Sequence, residues 1–186
     1  MLILHAPQTL LNTSGIKPVL YLSEPSPGQE LHSWYLRLLA TGYPGKLLTL
    51  YVHNPTMIIV VCRGKTIRST WPQFCERLPR LLGRFCFPFE FIKKEMSFLD
   101  GYVVSKSNSQ SMLAYINQVV YHFEYYCREM GSYDLISLDD MEEKLMEFLY
   151  GSNYSNQEEY SFPINEWEKK LGVQLKRMKY KRDFGT

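Results

Sequence analysis

Apolar residues along this chain fall into short runs and helical stripes, separated by polar, turn-rich stretches. Leu2-Ile3-Leu4 is apolar and β-branched at its centre, which predicts a strand at the start of the sequence. Gln8 to Asn12 predicts one helical turn, ended near Gly15. Val19-Leu20-Tyr21-Leu22, bounded by Pro18 and by Pro25-Ser26-Pro27-Gly28, predicts a second short strand. Leu31, Trp34, Tyr35, Leu38 and Leu39 recur at i, i+3, i+4, i+7 and i+8, so this segment predicts a helix that stops at Gly42. Lys46 to His53 and Thr56 to Cys62 then predict two strands joined at Asn54-Pro55, close enough to pair as an antiparallel hairpin. The run Met57 to Val61 is apolar throughout and fits a central strand covered on both faces.

A helix is predicted from about Pro72, capped by Thr70, with Phe74, Leu78, Leu81, Leu82 and Phe85 inward and a kink expected at Pro79. Pro88 opens a shorter helix through Phe91, Ile92 and Met96, and Tyr102-Val103-Val104 reads as a further strand. The longest helix is predicted over Ser109 to Met130, with Met112, Ile116, Val119, Phe123, Tyr126 and Met130 along one side. Ser137-Leu138-Asp139-Asp140 has the form of a capping box for a helix whose inner face is Leu138, Met141, Leu145, Phe148 and Leu149. Gly151 to Tyr160 is polar and without period, a linker or exposed loop, and Pro163 to Leu171 predicts a short helix using Ile164 and Trp167. Strands and helices mix without a βαβ rhythm. The pattern predicts an α+β fold, one mixed and partly antiparallel sheet of four or five strands with helices packed on it. Residues 1–150 are expected to form that single domain, with 151–186 a linker, a short helix and a basic tail.

Composition sharpens this picture only modestly. The 186 residues are 45% hydrophobic and 22% charged, which excludes a mainly disordered chain. The formal charge of +2 and a pI near 8.3 give no global attraction to nucleic acid, so any such role has to come from local clustering. No run is apolar for about 18 residues, and the first residues lack a basic flank, so neither a membrane span nor an export signal is predicted and a cytoplasmic location is expected. Cys62, Cys75, Cys86 and Cys127 are scattered outside any zinc spacing and read as small apolar residues. No nucleotide, hydrolase or zincin signature occurs, and no cofactor or metal is expected.

Four constellations carry candidate chemistry. His5 and His53 each end a predicted strand; side by side, with Cys62 or Tyr21 near, they would offer a general base, and otherwise they bond backbone. Arg77, Arg80 and Arg84 fall at i, i+3 and i+7 and would line one helix face as a phosphate-gripping ridge, or else form a solvated face. Lys106 and Ser109, in the polar segment leading into the longest helix, suit an anion or simple capping. The tail carries Lys176, Arg177, Lys179, Lys181 and Arg182 with Tyr180 and Phe184 interleaved, and can remain solvated, meet a partner, or fold back on the acidic segment from Asp134 to Glu159.

Two stretches resemble a bacterial family of uncharacterised proteins. LILHAPQTLL is similar to its opening, a short apolar strand, a Cys or His, and a small helix of the Thr-Lys-Leu-Leu type. KSNSQSMLAYIN is similar to a second signature, Asn-Arg-Ser, an apolar residue, Leu-Gly, a variable residue and Met-Asn. Asn108, Ser111, Leu113 and Asn117 are the counterparts, while Gln110 stands near the family's Arg, Ala114 for its Gly and Ile116 for its Met. The resemblance spans Met1 to Tyr150 and implies a bacterial, cytosolic, single-domain protein. It implies no activity, and the absent Arg takes a cation away from this segment.

Three roles follow from these readings. The first is a non-enzymatic binding module that contacts nucleic acid or a protein partner through a basic surface of Arg77, Arg80, Arg84, Lys176, Arg177 and Lys179. The alternative is a small enzyme acting on RNA or a phosphorylated substrate, with His5, His53, Lys106 and Ser109 gathered at the N-terminus of the longest helix. The third is protein association through exposed aromatics such as Tyr43, Tyr125, Tyr150 and Tyr154.

Overall fold

The two apolar runs around Asn54-Pro55 do form the hairpin, and the rest of the fold is built outward from it. The computed structural model describes residues 1–22, 24–148, 150–152 and 159–176. Strands β1 (Leu2–Ala6), β2 (Ser33–Ala40), β3 (Leu47–His53), β4 (Ile59–Arg63) and β5 (Tyr102–Lys106) form one sheet in the order β4-β3-β2-β1-β5. β1 runs parallel to β2 and to β5, whereas β2–β3 and β3–β4 are antiparallel. The sheet is mixed, with helices around it, and the fold is α+β. A separate two-stranded sheet pairs β6 (Tyr150–Ser152) with β7 (Glu159–Ser161).

Pleating sends alternate residues to opposite faces, and here both faces are apolar. Leu2, Leu4, Trp34, Leu36, Tyr51, Val60, Cys62 and Val104 face one side. They meet α1 (Gln8–Ser14), α2 (Ile67–Arg84), α3 (Phe89–Met96) and α6 (Pro163–Leu171) through Leu10, Phe74, Leu78, Phe91 and Trp167, among others. Tyr35, Leu39, Leu48, Leu50, Val52, Ile59 and Val61 face the other, under α4 (Gln110–Glu129) and α5 (Leu138–Met146). Trp34 anchors the first face, edge-on to Phe74 at 4.8 Å between ring centroids, with its indole N–H donated to the Leu31 carbonyl at 2.8 Å. Trp167 of α6 is fully buried in the same core, so the core reaches beyond residue 150.

Two predicted elements are different in kind. The segment from Leu31 to Leu39 is not a helix: Ser33–Ala40 is strand β2, the middle strand of the sheet. A strand buried on both sides is apolar at odd and even positions alike, so its sequence loses the period of two and mimics a helical stripe. Val19–Leu22 is not a strand. The Val19 N–H donates to the Val104 carbonyl of edge strand β5, but Leu20 and Tyr21 are each 91% exposed. Helix α2 begins at Ile67, capped by the Thr66 hydroxyl rather than by Thr70, and runs on through Pro72 and Pro79. Proline removes a backbone donor there, and the buried row Phe74, Leu78, Leu81 and Leu82 holds the helix in place of the missing bond.

Helix α5 is tied to its neighbours by charge as well as by apolar contact. The Glu142 carboxylate, fully buried, accepts from the Val61 N–H of β4 at 3.0 Å, from Arg77 Nε at 3.0 Å and from Arg84 Nη2 at 2.6 Å. Burial pushes the Glu142 carboxyl up from its ordinary pKa, and the Arg77 guanidinium, the Val61 N–H and Arg84 oppose that by bonding its charged form. Removing Glu142 leaves the buried Val61 N–H without its acceptor and costs each guanidinium a buried partner, although Asp139 still meets both and Glu143 meets Arg84. Glu142→Ala should therefore lower the unfolding free energy by about 1–3 kcal/mol, read by urea denaturation, whereas Arg80→Ala, on the exposed side of α2, should change it by no more than about 0.5 kcal/mol. Equal effects of the two substitutions would contradict this assignment.

Candidate functional site

The histidine pair does not form. Register places Leu4, Trp34 and His53 in one row across the sheet, and His5, Tyr35 and Val52 in the next. Adjacent rows point to opposite faces, so the two imidazoles are separated by β2 and by the sheet itself. His53 belongs to the apolar face with Trp34 and Trp167. Its Nε2 lies 2.9 Å from the Glu30 carbonyl, which can only accept, so Nε2 carries the proton and Nδ1 accepts from the Thr56 hydroxyl at 2.7 Å. Full burial, with the His32 charge acting the same way, lowers its pKa to about 3. This is a neutral, structural histidine.

His5 lies where the chain changes sides. β1 and β5 are parallel neighbours, yet β1 leads into α1 on the first face and β5 leads into α4 on the second. Where successive connections diverge at the carboxyl ends of parallel strands, a crevice opens between them, and this is the usual ligand position in open sheets with helices on both faces. His5, 7% exposed, stacks on Tyr35 at 4.4 Å between centroids and places Nε2 3.1 Å from the Ser33 hydroxyl. The Tyr35 hydroxyl donates to Asn108 Oδ1 at 3.2 Å. β1, β2 and the segment before α4 are thereby linked through three side chains. Burial, aided by His32, lowers the His5 pKa, so the ring is a neutral hydrogen-bonding group. Its Nδ1 and the Ser107 Oγ are buried without a hydrogen-bond partner among the described residues.

Charge at this end of the sheet is positive. Arg37 stands two residues beyond Tyr35 on the same face of β2, half-buried, and it makes no ion pair among the described residues. Lys106, exposed, ends β5 opposite Ala6 on the α1 side of the crevice. Ser109 caps α4, its hydroxyl accepting from the Met112 N–H at 3.3 Å, which leaves the first backbone donors of the helix facing outward. Of the residues singled out in the sequence, the structure thus brings His5 near the segment of Lys106 and Ser109 and leaves His53 out. Tyr35 and Arg37 are not legible as site residues in the sequence, because Leu31 to Leu39 reads as a helix. The only visible signal was the single charge within WYLRLLA.

The cationic ridge is not free either. Arg77 and Arg84 are turned to α5, where both pair with Glu142 and Asp139 and Arg84 also pairs with Glu143. Arg80 is exposed and paired with Glu76 one helical turn away. A row at i, i+3 and i+7 with acids opposite is a helix-to-helix contact, not a surface aimed at phosphates. Lys176 is exposed; its N–H donates to the Phe85 carbonyl, and its charge acts on the Glu143 carboxyl, so the tail begins beside the acidic helix. Arg177 and Lys179 lie outside the described residues. Cys62 and Cys127 are buried, and burial pushes the Cys127 thiol up to about 11, which makes it inert at neutral pH. Among the described residues, no group of three His, Cys, Asp or Glu side chains is placed to hold a metal ion, and no helix is long and apolar enough to cross a membrane.

Fold and site together define an α+β domain with a five-stranded mixed sheet and a group of polar side chains, His5, Tyr35 and Asn108, at its parallel strand ends. The chain belongs to the family described as a domain of unknown function, DUF6933, whose profile matches residues 3–166 and so takes in both His5 and the segment around Asn108. No curated protein matches the sequence.

His53 makes the fold sensitive to acid in a defined direction. The unfolded chain takes up a proton near pH 6.5, and the folded ring resists it until about pH 3. Its contribution is complete above 6.5 and declines as pH falls through that window, by up to about 1.4 kcal/mol per pH unit. Denaturation midpoints measured from pH 7 to pH 4 should fall for the wild type and fall less steeply for His53→Gln.

Proposed function

We propose that the protein is a binding module for a small anionic ligand, of the phosphorylated class, held in the crevice at the carboxyl ends of β1, β2 and β5. One observation carries the reading: the His5–Tyr35–Asn108 chain joins three segments at the point where the connections part, with Arg37, which has no ion pair among the described residues, two residues beyond Tyr35 on the same face of β2. Half-buried unpaired guanidinium is an uncommon expense in a fold, and an anion offers it charge-assisted hydrogen bonds in a planar fork geometry. Lys106 and the outward donors at the start of α4 add to the same positive field. Arg37 also supplies a guanidinium in a neighbourhood where Gln110 cannot. Binding is favoured over catalysis. His5 touches Ser33 as a base touches a nucleophile, but Ser33 is buried and no carboxylate orients Nδ1.

A second reading rests on α4. Tyr121 and Tyr125 stand 76% and 66% exposed on its outer side and, with His122 and Arg128, line a hollow of about 340 Å³. That face suits a protein partner. Tyr43 does not join it, being half-buried with its hydroxyl donated to the Cys127 carbonyl. The Tyr150 side chain and Tyr154 lie outside the described residues.

The crevice reading is tested by calorimetry with a panel of sugar phosphates and nucleoside monophosphates. At least one should bind the wild type, and Arg37→Gln should weaken it by about tenfold or more, since a hydrogen bond to a charged group contributes about 1.5–3 kcal/mol. Stability should be unchanged, because Arg37 has no partner to lose. If every compound binds wild type and variant alike, the site is wrong. Tyr121→Ala/Tyr125→Ala, leaving the phosphorylated ligand's affinity untouched, separates the α4 reading from this one.

A further inference from the structure

Away from β1 and β5, Lys46 precedes the first residue of β3 and Lys65 lies two residues past the end of β4. The β3–β4 ladder pairs Leu48 with Arg63, and the Gly64 N–H donates to the Leu47 carbonyl at 3.0 Å, carrying the register one step on. The ladder stops there: Gly64 has φ +133° and Lys65 lies in the bend that leads into α2. Lys46 and Lys65 nevertheless line the same hollow, and like charges gathered at one place repel. Arg63, the last residue of β4, lines that hollow with them and adds a third positive charge. It is clamped in place: Nη1 donates to the Tyr133 carbonyl at 3.1 Å, Nη2 to the Ile136 carbonyl at 2.8 Å, and its Cζ lies 4.4 Å from the Tyr133 ring centroid. Lys46 Nζ approaches the same ring at 5.3 Å.

These groups line one hollow of about 370 Å³, together with Gly45, Gly64 and Tyr133. No Asp or Glu is among its described lining residues, and none of the three cations has an ion pair within the described chain. The turn is also sterically committed. Gly64 has φ +133°, and a Cβ there would come within 3.0 Å of Ser69 Oγ and 3.1 Å of Thr70 Cγ2. The contrast with Arg77 and Arg84 is direct, because those guanidinium groups are met by carboxylates of α5.

We propose that the Lys46–Arg63–Lys65 hollow is an anion site that takes the phosphate or diphosphate group of a small phosphorylated molecule. Such a group neutralises the clustered cations and accepts hydrogen bonds from both ammonium groups, while the fixed guanidinium orients it. The volume is at the lower end of small-molecule pockets, suited to a diphosphate-sized ligand. This inference is independent of the crevice at His5 and Arg37.

The test is a ¹⁵N–¹H NMR titration of the full chain with sodium pyrophosphate at constant ionic strength. Saturable shifts are expected at amides 45–47 and 63–65, with affinity weakened about tenfold or more, or about 1.4 kcal/mol, in Lys46→Gln/Lys65→Gln. Arg80→Ala should bind as the wild type does. Lys65→Gln alone provides the comparison if the double variant does not fold. Absence of saturable shifts in the wild type, equal affinity in the lysine variants, or shifts confined to residues 105–111 would each overturn the proposal. The last outcome would leave the crevice reading standing.

Discussion

A sheet that is apolar on both sides has to be covered on both sides, and most of this architecture follows from that constraint. β2, β3 and β4 bury residues of both parities, so helices are needed above and below. α1, α2, α3 and α6 take one face, and α4 and α5 take the other. The chain therefore has to cross from one layer to the other, and it does so where β1 and β5 end side by side. The linked side chains His5, Tyr35 and Asn108 lie at that crossing. Arg37 lies beyond the end of β1, where the strand that would otherwise neighbour it has stopped.

Charges in this protein are placed in two contrasting ways. Inside, Glu142 is matched by two guanidinium groups and a backbone donor, and Glu95 is bonded by the Glu30 and Leu31 N–H groups at 3.0 and 2.8 Å. Both carboxylates fasten a helix to a neighbouring strand or loop. On and beside the sheet the pattern reverses: Arg37, Lys46, Arg63 and Lys65 have no ion pair among the described residues. Satisfied charge marks the frame, and the ligand sites proposed above rest on the positive charge left without an acid among the described residues. The two buried histidines, both kept neutral by desolvation, belong to the frame or border it and do not add to that positive surface.

Membership in DUF6933 assigns a family without assigning a role, so function has to be argued from the sites. Among the described residues, a cation-lined hollow lies where β3 begins and β4 ends, and α4 carries an aromatic outer face. These are the features on which the proposed binding roles rest.

Local sequence determined the elements whose pattern reports only their own surroundings. Helices with one buried stripe, such as α4 and α5, were legible from their period, as were the hairpin and the mixed α+β class, because half-buried elements write their environment into every third, fourth or second residue. Tertiary structure alone decided the rest. β2 read as a helix because burial on both faces erases alternation, and the apolar Val19–Leu22 read as a strand although it lies outside the sheet. Strand order set His5 and His53 on opposite faces and put Tyr35 between His5 and Asn108. Helix docking turned Arg77 and Arg84 from a promised ridge into an internal ion cluster. Which residues share a face across strands, and which charges find a partner, are properties of distant segments brought together, and no local period encodes them.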